Sequence, residues 1–126
     1  MTGPRNLKEV VHRRMEAANG GDMATVVSTY ADDGVMAHQG VYEVVGRDAI
    51  TEWSARLGKS MAVLQVLYRL EEAPPGVVMT WAAVRRDDLT DVVASGIDRF
   101  TGDAAGIRRQ EAEFQRTAAL DAIAEA

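Results

Sequence analysis

The chain has 126 residues, enough for one domain with a substantial core, and its 14 Lys and Arg against 19 Asp and Glu leave a net charge of -5. That balance repels a phosphate backbone and argues against nucleic acid as a partner, and the absence of cysteine excludes disulfides, thiolate metal sites and a thiol nucleophile together. No apolar h-region follows Met1 and no apolar run approaches the ~20 residues of a membrane span, so the expectation is a soluble cytoplasmic protein without a membrane partner.

A first helix is predicted from Arg5 to Gly20, where a left-handed glycine ends it; Leu7, Val10, Val11, Met15 and Ala18 form its apolar face, and Arg14 falls within that face. Asp22 is placed to cap a second helix by accepting a bond from an unpaired backbone N–H, with Met23, Val26, Val27 and Tyr30 as its buried stripe. Val35–His38 and Tyr42–Val45 read as short strands split at Gln39-Gly40. A third helix then carries Ile50, Trp53 and Leu57 inward and stops at Gly58.

From Met61 the period changes from helix to strand. Met61–Glu72, Val77–Arg86, Thr90–Phe100 and Ile107–Gln115 form four long strands in hairpin order, turned at Pro74-Pro75-Gly76 and Asp87-Asp88. Helices first and antiparallel strands after imply an α+β domain over residues 1–126 in which a curved sheet wraps a helical layer. Residues 116–126, rich in alanine, are expected to be a loose C-terminal tail, as a loosely docked helix or without order. In Val77–Arg86 both faces are apolar, which predicts a homodimer through the face turned away from the helices.

Strand alternation places Val92, Ala94, Gly96, Asp98 and Phe100 on one face, so Asp98 points where apolar groups point and small neighbours leave room beside it. In the last strand Gln110, Ala112 and Phe114 share a face, opposite the solvated Arg109, Glu111, Glu113 and Gln115. A buried polar group costs a few kcal/mol unless it is paired, so Arg14, Asp98 and Gln110 need partners or a wet pocket. Tyr30, Trp53, Tyr68, Trp81, Phe100 and Phe114 are candidates for core or for the lining of that pocket. His12 lies on the polar face of its helix, so no two histidines share a metal-ligand spacing and no metal site is expected.

The stretch Gly20-Gly21-Asp22 through Tyr30-Ala31-Asp32-Asp33, the lone His38 and Gly46-Arg47-Asp48-Ala49-Ile50 resemble the opening of the SnoaL-like and ketosteroid isomerase-like branch of the nuclear transport factor 2-like superfamily. Val10-Val11-His12-Arg13-Arg14 and Gly96-Ile97-Asp98-Arg99-Phe100 extend the resemblance over nearly the whole chain. It implies a cone of curved antiparallel sheet around the N-terminal helices, a cystatin-like α+β roll, enclosing a cavity for a small molecule. In ketosteroid isomerases an aspartate moves the proton, and a tyrosine with a protonated aspartate stabilises the enolate oxygen. By the resemblance, His38 stands at the position of the first aspartate, Asp98 at that of the second, and Arg14 at that of the tyrosine.

These replacements redirect the expected chemistry. Imidazole is still a proton acceptor suited to neutral pH. A guanidinium cannot release its charge, and within reach of Asp98 it would hold that carboxyl ionised as an ion pair. The resemblance therefore implies a cofactor-independent isomerase, cyclase or dehydratase that moves a proton next to a carbonyl of an apolar, polyketide-like or aromatic substrate. His38 is its base or acid, Asp98 the partner or an oxyanion donor, and Arg14 the anion stabiliser. The alternative is a ligand-binding or accessory protein of the same fold, in which His38 is a strand-end histidine and Arg14 with Asp98 a structural pair.

Overall fold

A computed structural model describes residues 3–38 and 40–114. Three helices, α1 (Leu7–Asn19), α2 (Met23–Ser28) and α3 (Arg47–Met61), pack on one face of a six-stranded sheet. Its strands are β1 (Tyr30–His38), β2 (Tyr42–Val45), β3 (Leu64–Ala73), β4 (Gly76–Arg85), β5 (Asp88–Asp103) and β6 (Gly106–Phe114). The sheet is open, with spatial order β2-β1-β6-β5-β4-β3. Every neighbouring pair is antiparallel except β1 and β6, which run parallel and depart in that respect from the antiparallel sheet expected. Pairing β1 with β6 brings the N-terminal part of the chain beside its last described strand.

Asn6 starts α1 by accepting a bond from the Glu9 N–H at 3.0 Å. The expected left-handed glycine is displaced by one residue: Gly20 keeps right-handed angles, and Gly21, at φ +76°, makes the reversal. Asp22 caps α2 as anticipated, through the Thr25 N–H at 3.1 Å. Tyr30, by contrast, does not belong to that helix. It opens β1 opposite Ile107, and the strand continues through Ala31-Asp32-Asp33 with a bulge before Val35. Arg47 secures this irregular stretch, donating from Nε and Nη2 to the Tyr30 carbonyl at 3.0 and 2.7 Å and pairing with Asp32 at 2.9 Å.

Helix α3 runs through Gly58 to Met61, three residues past its expected end, so β3 begins only at Leu64. Gly58 serves close packing here, because a Cβ at that position would lie 3.3 Å from Met23 Cγ of α2. At Gly76, a Cβ would stand 2.0 Å from the Phe100 carbonyl oxygen, so only glycine lets β4 start that close to β5.

Bulges in β4–β5 and β5–β6 help bend the sheet around the helical layer. The first corrects the alternation assumed for β5: Ala83 pairs with Ala94 but Val84 with Val92, so Val93 turns inward and Val92 is left 56% exposed. Between helices and sheet lies the main core, which includes Val10, Val11 and Met15 of α1, Ile50 of α3, and Tyr30, Met36, Phe100 and Ile107 of the sheet. Asn19 ties the end of α1 to the edge strand β3 in the manner of a strand, accepting from Val66 N–H at 2.9 Å and donating to Val66 O at 3.0 Å. Among the described residues no helix is long and apolar enough to cross a membrane.

Candidate active site

A cavity of about 480 Å³ opens between α1, α3 and the concave face of the sheet. Its floor is set by register. His38 pairs with Ala112, Ala112 with Asp98 and Asp98 with Met79, so these four side chains form one row across β1, β6, β5 and β4. Strands spaced ~4.8 Å apart put the Cα atoms of His38 and Asp98 about 10 Å from each other, with only the Ala112 methyl between them. Tyr42 extends the row on the far side of His38, and its ring meets the imidazole edge-on at 5.5 Å.

Three buried ionisable side chains lie in or beside this cavity: Arg14, Asp98 and His38 are 4%, 5% and 6% exposed. Arg14 and Asp98 line the cavity. His38 is flanked in its row by Tyr42 and Ala112, which do line it. Arg14 and Asp98 make no direct ion pair. Two neutral groups stand between them and form a chain of hydrogen bonds.

Arg14 Nε donates to the Tyr30 hydroxyl at 2.7 Å, the hydroxyl donates to Gln110 Oε1, and Gln110 Nε2 donates to Asp98 Oδ2 at 2.7 Å. At the other oxygen, Asp98 Oδ1 accepts from Trp81 Nε1 at 2.9 Å. The direction of this chain follows from its ends. Guanidinium and indole can only donate, so the phenol oxygen must accept from Arg14 and pass its own proton onward, which orients the Gln110 amide with its nitrogen towards Asp98. Both Asp98 oxygens therefore face donors, and the form that satisfies them is the carboxylate.

Burial opposes that charge and pushes the Asp98 carboxyl up from its ordinary range; the bonds from Gln110 and Trp81 and the charges of Arg14 and His38 pull it down. The buried Tyr30 phenol is likewise pushed up by burial, against the pull of Arg14. Arg14 is further held by a contact from Nη1 to Met15 Sδ at 2.9 Å and lies 5.7 Å from the Tyr30 ring centroid. Among the described residues its Nη2 has no acceptor, and the guanidinium borders the cavity.

Of the other candidates, Trp53, Trp81 and Gln110 line the cavity. Tyr30 and Phe100 sit behind its wall, in the core. Tyr68 reaches α1 instead, its hydroxyl 2.8 Å from His12 Nδ1 and 3.1 Å from Glu16 Oε2. Burial and Glu16 raise its phenol. The Phe114 side chain lies outside the described residues, as does the tail at 116–126.

The lining residues not anticipated include Tyr42 and the α3 cations Arg56 and Lys59. Arg56 was accessible in principle, since Trp53, Arg56, Leu57 and Ser60 repeat at helical spacing. Among the described residues no cluster of three or more His, Asp or Glu could hold a metal ion.

Residues 4–70 match the model of a SnoaL-like domain. No curated protein matches the chain. Similar solved structures include an NTF2-like protein of unknown function from Cytophaga hutchinsonii, at 9% identity and a TM-score of 0.70, covering 91% of this chain and 95% of that one. A proposed ketosteroid isomerase from Kribbella flavida aligns at 12% identity and a TM-score of 0.71, over 88% and 78% of the two chains. The epoxide hydrolase/cyclase-like enzyme SalBIII, with a role in pyran ring formation in the polyether salinomycin, aligns at 18% identity and a TM-score of 0.72, over 86% and 89%. At these identities the likeness is one of fold, and it agrees with the open curved sheet and its helical layer. The family match covers more than half of the chain, which belongs to the SnoaL-like domain family.

Proposed function

We propose that the protein is a cofactor-independent isomerase, cyclase or dehydratase that transfers a proton next to a carbonyl of an apolar, polyketide-like or aromatic molecule. The observation that carries this reading is the single row of His38, Ala112 and Asp98 beside a cavity that Arg14 also borders. The isomerase and cyclase-like relatives are in keeping with it.

In this reading the His38 imidazole takes a proton from the carbon next to the substrate carbonyl, and the C–H electron pair moves to form an enolate. Arg14 donates from its open Nη2 to the enolate oxygen, where a fixed cation in a water-poor site acts most strongly. Asp98, held as an acceptor by Gln110 and Trp81, stabilises the imidazolium across the Ala112 gap. Return of the proton to another carbon gives isomerisation, and attack of the enolate carbon on a second carbonyl closes a ring. Expulsion of a β-hydroxyl, protonated by the imidazolium, gives loss of water. Met15, Leu57, Leu64, Val66 and Met79 supply the apolar wall for the body of the substrate.

Deuterium exchange at the α-carbon of α-tetralone, an aryl ketone small enough for the cavity, tests the reading by NMR in D2O. The protein should accelerate the exchange, and His38→Gln should reduce the acceleration by about 100-fold or more. Unchanged exchange in both His38→Gln and Asp98→Asn removes the catalytic assignment.

One observation favours the second reading, a binding protein without chemistry: His38 is flanked by the cavity-lining Tyr42 and Ala112 and is not itself part of the lining. Binding of α-tetralone without exchange supports that alternative. The proposal includes a homodimer through the outer face of β4, where Val78 and Ala82 are half-buried and Thr80 is exposed; sedimentation should give twice the 13.6 kDa of one chain.

A further inference from the structure

The charge around the cavity is opposite to that of the chain. The protein carries an excess of acidic residues, yet Arg14, Arg56 and Lys59 line the cavity against a single carboxylate, Asp98. That carboxylate does not neutralise them, because its oxygens already accept from Trp81 and Gln110. Other surface arginines have found acidic partners: Arg47, Arg85 and Arg99 hold Asp32, Asp91 and Glu113 at 2.8 to 3.0 Å. Among the described residues Arg56 and Lys59 hold none. Arg56 also follows Trp53 by three residues on α3, which places both on one helical face, and both line the cavity. A recess with low-dielectric walls and uncompensated cations concentrates anions from solution.

We infer that the ligand is an amphipathic anion, whose apolar body fills the cavity while a permanent acidic group, a carboxylate or sulfonate, lies against Arg56 and Lys59 of α3. This rests on the reading of the cavity as a small-molecule site and adds the chemical class of its occupant. It also divides the cations by task. Arg14, buried in the wall beside Asp98, faces charge that develops during reaction; Arg56 and Lys59, exposed at the rim, recognise charge the ligand already has.

Two naphthalene probes separate the contributions. 1-Anilinonaphthalene-8-sulfonate and N-phenyl-1-naphthylamine share an apolar skeleton and differ by the sulfonate. Energy transfer from Trp53 and Trp81, both in the cavity wall, reports binding there. The sulfonate should bind more tightly than the neutral amine, and its advantage should shrink as salt is raised. In the double variant Arg56→Gln/Lys59→Gln, whose positions are exposed, the sulfonate should lose about fivefold in affinity, as expected for two rim ion pairs, while the amine is unaffected. Equal affinities for the two probes, or a sulfonate affinity unchanged in the double variant, overturn the inference and leave the small-molecule site standing. Failure of both probes to bind overturns the site reading as well.

Discussion

Tyr30→Phe is the substitution that most directly tests the chain of bonds joining Arg14 to Asp98. The ring is fully buried and keeps its packing in the variant, so the change is confined to one oxygen. That oxygen accepts from Arg14 Nε at 2.7 Å and donates to Gln110 Oε1. Without it a charged donor and an amide acceptor are both left unpaired in the interior. Each unmet buried group costs about 1–3 kcal/mol, and the recovered desolvation of the phenol offsets part of this, for a net loss of about 2–4 kcal/mol. With a urea m-value of about 1.5 kcal/mol/M, the unfolding midpoint falls by about 1–3 M. Gln110→Met cuts the same chain one link further on, so a double-mutant cycle between the two should give a coupling energy of about 1–3 kcal/mol. A Tyr30→Phe loss below about 0.5 kcal/mol, within the range of neutral surface changes, or strict additivity in the cycle, would refute the continuous network.

Asp98→Asn presents a donor where Trp81 and Gln110 both require an acceptor, so at neutral pH it should lower the urea midpoint; an unchanged or raised midpoint would mean that the native carboxyl is protonated. Because burial raises this carboxyl, the native state binds its proton more tightly than the unfolded chain does. Its contribution to stability is therefore present at low pH and lost as pH rises through the raised native value. Urea titrations of the wild type should show that downward slope above the usual carboxylate range, relative to Asp98→Asn, and a slope of the opposite sign refutes it. Ala112→Leu fills the gap between His38 and Asp98 and should reduce α-tetralone binding by about tenfold or more with the fold retained by circular dichroism; undiminished affinity would place the ligand elsewhere. Asn19→Ala removes both bonds to Val66 and should cost about 1–3 kcal/mol in urea unfolding, and a neutral effect would show the tie to β3 to be dispensable.

Local physics made most of the elements readable. Apolar spacing located α1 and the inward side chains of α3, Asp22 marked the start of α2, and alternation turned Asp98 and Gln110 towards the interior. Errors arose where distant contacts decide the outcome. Tyr30 has helical spacing from Val26 and Val27, yet pairing with Ile107 and the grip of Arg47 on its carbonyl draw it into a strand. Gly58 looked like a stop, but contact with Met23 makes it a packing residue. A strict period of two turns Val92 inward, and a bulge breaks that period. In the candidate site the residue types were legible while their connections were not. Arg14, Tyr30, Gln110 and Asp98 come from four separate parts of the chain, and nothing local shows that a phenol and an amide lie between the two charges.

That interposition affects what the cavity can do. A direct Arg14–Asp98 ion pair would use the guanidinium's remaining donors and the carboxylate's lone pairs on each other, leaving a neutral structural feature. With Tyr30 and Gln110 between them, the two charges do not neutralise each other directly: Asp98 takes neutral donors at both oxygens, and Arg14 a neutral acceptor at Nε. Arg14 borders the cavity with Nη2 unpaired among the described residues, and the charge of His38 two strands away still acts on the Asp98 carboxyl. The bonds run from a donor-only end to an acceptor-only end, so a proton cannot pass along them without leaving a mismatched donor behind. They hold the two charges apart, and the proposed proton transfer needs that separation, with one charge for an enolate oxygen and the other for an imidazolium.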